Sequence, residues 1–467
     1  MLFQNFSILV YILATSSILC AQNNSKFVIA GTCTEHIFQN TECIPKEQRE
    51  RVDSEIKGTL SLLKSKNKGI TPSPQATVLF GWPLKAKAGF NDPGYHSVSA
   101  FADHDTTTLL KDYDCGTRTY DGHGGTDYFL WPFSWNKVDS SEVEIVAAAK
   151  GVIISKADGN FDLSCGGNKL DANEVILLHS DSSRSLYWHM KKGSVTTKSI
   201  GDTVQAGEYL GTIGSSGQTS GPHLHFEVYD GSNKLVDPYQ GNCNNFNNNS
   251  WWTNQRPYVD AGINRLRTNS RPPEFKLCPD EDITNESDYF ASGDTIDLCL
   301  YYRNLSPGDS TYITITRPDS SIWGSWPWVH PTTGSYFNGA FMWFQIPAGS
   351  ATMLGTWKFQ ADYKNQTYAH LFHVVDDLGY SADPKSEMTV RCFPNPFASS
   401  TTVYLSKFDL HNSYSLSLLD LYGQEIRNTP IKGAETIVQK DGLSAGIYFC
   451  KIYSNNVLLA SRKIIVQ

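Results

Sequence analysis

From Ser220 to Val228 the chain reads Ser-Gly-Pro-His-Leu-His-Phe-Glu-Val, alternating polar with apolar side chains after a Gly-Pro start. A period of two is that of a β-strand, so His223, His225 and Glu227 share one face and Leu224, Phe226 and Val228 the other. The apolar face suits a core. The opposite face carries two imidazoles about 7 Å apart, a spacing set by strand rise. Both can reach one metal ion, or one can bind while the other works beside it. Strand patterns recur at Val143–Ala147, Gly151–Ile154, Glu174–His179 and Ser185–Met190. The last two read as adjacent antiparallel strands joined by Asp181-Ser182-Ser183-Arg184. Val204–Gly214 adds two short elements with glycines at the turns. A helical period appears once, at Val52, Ile56, Leu60 and Leu63 among Lys, Arg and Glu, and predicts an amphipathic helix. That helix either packs on the following domain or forms part of a pro-segment that covers it until removed.

Further along, Thr295–Tyr301, Tyr312–Thr316, Thr356–Ala361 and Ala369–Val374 alternate at strand period, with turn signals between them. They predict an Ig-like β-sandwich. Its tryptophans Trp323, Trp326, Trp328 and Trp343 read either as an aromatic platform for glycans or as core. The polar run Asn242–Asn249 reads as a loop, and Arg271-Pro272-Pro273 as a boundary. Residues 390–467 predict a small antiparallel sandwich with glycine turns. The chain therefore divides into 1–21, 22–74, 75–272 (core 75–240), 273–388 and 389–467, and is mainly β.

Length and composition sharpen this picture. The 467 residues suffice for about three domains. A formal net charge of −8 leaves no basic surplus to neutralise phosphates, which argues against a nucleic-acid partner. Met1–Ala21 contains the apolar run Ile8–Ala14 followed by small residues, and reads as a signal peptide cleaved after Ala21. No other stretch is long enough to span a membrane. Of the 10 cysteines, those beyond Cys20 belong to an exported chain and are expected in disulfides. Proximity pairs Cys33 with Cys43, Cys115 with Cys165, Cys278 with Cys299 and Cys392 with Cys450, leaving Cys243 over.

The remaining chemistry lies in Asp121-Gly-His123-Gly-Gly-Thr-Asp127, where the glycines predict a turn that lets His123 and Asp127 point to one spot. Two ligand-type residues close in sequence, with a third far away on a rigid strand, form a common layout for a catalytic zinc. Taken in order, His123-x-x-x-Asp127, Tyr187-Trp188-His189, the Gly207–Gly217 run and Gly221-Pro-His223-Leu-His225-Phe-Glu-Val228 resemble the lysostaphin/LytM-type zinc endopeptidases over residues 75 to 240. That resemblance implies an antiparallel LytM-like peptidase domain holding one Zn2+ on His123, Asp127 and His225. It implies His189 and His223 as the catalytic histidines, with all five positions present.

Glu227 reads as a group that orients a ligand by hydrogen bonding or as a solvated carboxylate, and Tyr187 as a site-lining or a packed tyrosine. His179, His96 and His104 read as structural. Cys115, Cys165 and the aromatics around Trp131 and Trp135 depart from the family pattern and are expected to reshape the groove. The C-terminal Pro394-Asn-Pro-Phe397 and Gly446-Ile-Tyr-Phe449 resemble the sorting domain of type IX secretion substrates. The expected protein is a secreted or cell-surface zinc metalloendopeptidase acting on peptide bonds in peptidoglycan or glycine-rich extracellular proteins, with the type IX machinery as partner. The alternative is a non-catalytic cell-wall or glycan-binding protein.

Overall fold

The central strand His223–Tyr229 sits inside an eight-stranded antiparallel sheet, between Thr126–Leu130 and Arg184–Trp188. Beyond Thr126–Leu130 lies His96–Ala100; beyond Arg184–Trp188 follow Glu174–Leu178, Gly151–Ala157 and Thr203–Val204, with Leu235–Val236 pairing off the path. These observations come from a computed structural model that describes residues 34–35, 44–65, 78–166, 168–330, 337–375, 390–405, 408–409, 412–420, 423–455 and 457–467. The expected signal peptide and the Cys33–Cys43 pairing lie outside the described residues. Two units are resolved by internal packing, Met1–Asp376 and Asp377–Gln467.

Register decides what each sheet face carries. His225 stands opposite Asp127 on one side and Trp188 on the other, and Phe226 opposite Thr126 and Tyr187. Leu224, Phe226 and Val228 accordingly meet Tyr128, Tyr187, Val175 and Leu177 in the main core. The opposite face carries Trp188, Ile176, Leu186, Ile154 and Ala100, and helix α1 (Lys46–Ser65) lies on it. Pro45 precedes the helix, Glu47 lies in its first turn and Lys64 in its last, matching the helix dipole. Its buried residues Val52, Ile56 and Leu63 are three of the four expected from the spacing, with Leu60 packed at the edge. Reciprocal hydrogen bonds fix its register: Gln48 Nε2 donates to the Ala172 carbonyl (3.2 Å) and the Ala172 amide donates to Gln48 Oε1 (3.1 Å).

A buried acid lies on the helix-covered face. Glu174 Oε1 accepts from Ser155 Oγ at 2.7 Å, and its other oxygen has no hydrogen-bond partner among the described residues. Burial pushes this carboxyl from its ordinary 4.5 up to about 7, the Ser155 hydroxyl opposing and Glu55 of α1 adding to the rise. The folded chain then holds a proton that the unfolded chain has lost, so stability is full below about 4.5 and declines as pH rises through about 7. The loss is roughly 3 kcal/mol. Thermal midpoints of Glu174→Gln and the parent from pH 4 to 8 should converge at the acid end and separate at the alkaline end, the variant being the more stable. Parallel curves would contradict this.

The second sandwich starts earlier than the Pro272-Pro273 boundary. Gly262–Asn269 already pairs with Ile296–Leu305, which pairs with Phe337–Ile346 and, at the far edge, Thr34–Glu35. The facing sheet runs Tyr289–Ala291, Gln366–Val375, Gly355–Tyr363, Ser310–Thr316, Ile322–Val329. The proline pair is a turn inside this sandwich, because the preceding segment already has strand alternation. Trp326 and Trp328 are buried in its core beside Trp357, with Trp323 packed against it, so these tryptophans build the interior and do not form an exposed platform. Trp131 does not face a groove either. Its Nε1 donates to the Tyr302 carbonyl (2.9 Å), and its ring joins Phe129, Phe133, Tyr301 and Phe341 between the two sheets' domains.

The disulfides correct the pairing by proximity. Cys115 joins Cys243 and Cys165 joins Cys278, while Cys299 is a buried thiol in the middle of a strand. Cys115 and Cys165 are separated by intervening strands. The 112–116 turn instead lies against the 241–243 segment, where the Cys243 amide donates to the Tyr113 carbonyl at 2.9 Å.

In the C-terminal unit, Val390–Phe393, Ser400–Leu405 and Glu435–Gln439 form one sheet. Glu425–Ile431, Tyr414–Leu419, Gly446–Ser454 and Val457–Val466 form the other. Val403, Leu416, Leu418, Ile452 and Ile464 fill the space between. Cys392 and Cys450 are free thiols there and do not form the disulfide that their positions suggested.

Candidate active site

Three elements bring the five sequence-predicted residues to one end of the helix-covered face. The Asp121–Asp127 segment turns through Gly122, whose φ of +73° suits a residue without Cβ. Gly125 then passes so close to the central strand that a Cβ would stand 2.5 Å from the Phe226 carbonyl oxygen. This close approach delivers His123 and places Asp127 opposite His225. His189 follows directly on Arg184–Trp188 with a φ of +65°, a left-handed conformation that costs a non-glycine residue energy and turns the imidazole toward His223. The two rings lie 4.5 Å apart, centre to centre.

Every imidazole is anchored by one nitrogen, and that anchor sets where its lone pair points. His123 Nδ1–H donates to the Phe101 carbonyl (2.7 Å), leaving the lone pair on Nε2. His225 Nε2–H donates to Glu227 Oε1 (2.7 Å), leaving it on Nδ1. His189 Nδ1–H donates to the Ser216 carbonyl (2.7 Å) and His223 Nδ1–H to the Gly221 carbonyl (3.0 Å), with Thr219 Oγ1 at 3.1 Å from the same nitrogen. Both of these leave the lone pair on Nε2.

The lone pairs of His123 Nε2 and His225 Nδ1 are 3.1 Å apart, and Asp127 Oδ1 lies 3.2 Å from the first and 2.7 Å from the second. Three acceptors facing one another, all buried, repel unless a cation lies among them. Bonds of about 2.0–2.1 Å to one tetrahedral ion need donor separations of roughly 3.3 Å, close to those present. Two neutral imidazoles and a carboxylate form a donor set suited to Zn2+. The residues therefore fit the metal. His223 Nε2 stands 3.5 Å from Asp127 Oδ1, at the margin of the cluster. Burial alone would raise the Asp127 carboxyl, but positive charge, carried by the His123, His223 and His225 rings when they are protonated, outweighs it and holds the group well below the usual carboxylate range.

Glu227 is fully buried, not solvated. Burial would push its carboxyl up, and Arg49 of α1, followed by His225, holds it well below its ordinary range. Tyr187 is not at the site: it lies on the core face beside Phe226, its hydroxyl accepting from the Ala148 amide at 2.8 Å. His179 is likewise remote, with Nδ1 donating to the Lys150 carbonyl (2.8 Å). His104 anchors the Asn242–Asn249 loop through Asn245 and through Asp237, 2.9 Å from its Nε2. Two contributors escaped sequence reasoning. Tyr120 stacks on the His123 ring with centroids 4.1 Å apart, and Arg49 reaches the site from the N-terminal helix. Neither stands in a recognisable motif.

The model of Peptidase family M23 matches residues 137–238, and that of the Secretion system C-terminal sorting domain matches residues 391–467. The chain thus carries an M23-type domain of the lysostaphin/LytM class and a C-terminal sorting domain, which implies a secreted or cell-surface protein. It is 31% identical over 105 residues to Peptidoglycan DD-endopeptidase ShyC of Vibrio cholerae, covering 22% of this chain and 19% of that protein. It is 30% identical over 146 residues to Glycyl-glycine endopeptidase ALE-1 of Staphylococcus capitis, covering 28% and 35%. It is also 30% identical over 105 residues to lysostaphin of Staphylococcus simulans, covering 22% and 17%. The chain thus spans between about a sixth and about a third of the length of these curated relatives. No helix among the described residues is long and apolar enough to cross a membrane.

Proposed function

We propose that the protein is an exported zinc metalloendopeptidase that hydrolyses peptide bonds in bacterial peptidoglycan, with bonds between small residues such as glycine favoured. The observation that carries this reading is the convergence of His123 Nε2, Asp127 Oδ1 and His225 Nδ1 in one buried cluster, with His189 and His223 beside it. The relatives' names, a peptidoglycan endopeptidase and a glycyl-glycine endopeptidase among them, support the substrate class. A signal peptide over residues 1–21 and type IX sorting by the C-terminal domain are the proposed export route.

His123, Asp127 and His225 would hold the zinc ion, which when bound acidifies a water molecule and polarises the scissile carbonyl. His189 and His223 present basic Nε2 atoms next to the ligand cluster. One takes the proton of the attacking water and returns it to the leaving amine, and the other in its protonated form donates to the developing oxyanion. Anchoring of both rings through Nδ1 holds them ready without reorganisation at the moment of reaction. The burial of Trp326 and Trp328 takes two of the four tryptophans out of any aromatic platform, which favours the enzymatic reading over a purely glycan-binding one. Incubation of the zinc-loaded protein with purified sacculi and, separately, with elastin tests the substrate. Muropeptides whose masses correspond to one hydrolysed peptide bond are expected from the sacculi. Elastin peptides with intact sacculi would overturn the peptidoglycan assignment.

A further inference from the structure

The outermost link of the site comes from an element that the peptidase motifs do not include. His225 Nε2–H donates to Glu227 Oε1, and the Arg49 guanidinium grips both oxygens of that carboxylate: Nη2 lies 2.8 Å from Oε1 and Nη1 2.8 Å from Oε2. The same Nη1 donates to Tyr229 Oη at 3.1 Å. This fork is the strongest geometry available to a carboxylate and fixes its plane as well as its position. Gly124 leaves the room it needs, since a Cβ there would stand 3.1 Å from Glu227 Oε1. Gln48, the neighbour of Arg49, locks the helix in register through Ala172, and Val52, Ile56 and Leu63 hold it on the sheet.

We propose that α1 is a resident part of the metal centre, with Arg49 as a positioning residue that acts through Glu227 to hold the His225 ring with Nδ1 toward Asp127 and the metal. The inference rests on the zinc reading above. An isolated carboxylate on this buried strand face would have no counter-charge, and would be free to turn away from His225. With Arg49 in place, the ring has one orientation and one tautomer. The helix is then retained in the working protein, and a pro-segment whose removal creates activity is not what residues 46–65 form.

The test uses the full oxidised chain as parent, Arg49→Ala, Arg49→Ala/Glu227→Gln and Gln48→Ala. For each, the zinc dissociation constant is measured by competition with a chromophoric chelator, and the thermal midpoint is measured metal-free. Loss of an outer partner of a metal-bound histidine weakens metal binding by about 10–100-fold, and that loss is expected in both Arg49 variants. The double variant strands no buried charge, so it remains measurable if Arg49→Ala folds poorly. Gln48→Ala loosens the helix without touching Glu227; it should lower the midpoint while its dissociation constant stays within twofold of the parent. Equal zinc affinity in the parent and both Arg49 variants would overturn the inference alone. A parent chain that binds no zinc would overturn the metal reading and the inference together.

Discussion

Alanine at His225 is expected to abolish hydrolysis and to take the metal with it. His225 supplies the central donor of the cluster, its Nδ1 being 2.7 Å from Asp127 Oδ1 and 3.1 Å from His123 Nε2. Two donors remain after the substitution, too few to hold zinc against a buffer that competes for it. Activity should fall by at least about 10³-fold, because without the ion the pKa of the attacking water returns from about 7 toward 15.7. Asp127→Asn is the gentler companion. It keeps the shape of the side chain but removes the negative charge that three histidines surround. Zinc content by elemental analysis and the rate on sacculi should fall together in both variants. Retention of a full equivalent of zinc by His225→Ala would exclude this histidine as a ligand.

The second large effect separates metal binding from proton transfer. Substitution of His189 or His223 should leave zinc in place and lower kcat by about 10²–10⁴-fold, the range for a positioned acid or base. Their anchors, the Ser216 carbonyl for His189 and Thr219 with Gly221 for His223, hold them beside the cluster and not in it. The choice of replacement matters at His189. Its φ of +65° is tolerated by asparagine better than by most residues, so His189→Asn removes the imidazole with the least backbone cost. Stoichiometric zinc with a collapsed kcat and a nearly unchanged KM is the expected pattern. Zinc loss on substitution of His223, whose Nε2 is 3.5 Å from Asp127, would make it a ligand.

The sequence carried much of this because the relevant signals are local. Alternation from His223 to Val228 is a property of one strand, and the pleat delivers it in the fold without help from elsewhere. The glycines around His123 specify a turn for the same reason. The amphipathic spacing from Val52 to Leu63 predicted the helix, and its apolar stripe is the face that packs. What failed depended on distant partners. Cys115 meets Cys243 because a turn and a late loop are neighbours only after the sheet has formed. Trp326 and Trp328 point inward because a second sheet covers them. Alternation alone could not choose between a solvated and a buried Glu227, since that depends on Arg49, which lies 178 positions away. Arg49 stands three residues before Val52, in line with the apolar stripe, so helical spacing carries it to the sheet face, but the helix by itself does not reveal the carboxylate it meets there. Tyr187 was misleading for a related reason: it lies two residues before His189, but the positive φ of His189 breaks the alternation that would otherwise have placed them on one face.

The most direct measurement is hydrolysis of purified peptidoglycan by the full chain, with zinc content determined on the same sample, before and after chelation and after return of one equivalent of zinc. The account predicts release of muropeptides with one peptide bond hydrolysed, arrest on chelation, and recovery with stoichiometric zinc. Cleavage indifferent to the chelator, or a zinc-loaded protein that cleaves neither sacculi nor glycine-rich peptides, would contradict it.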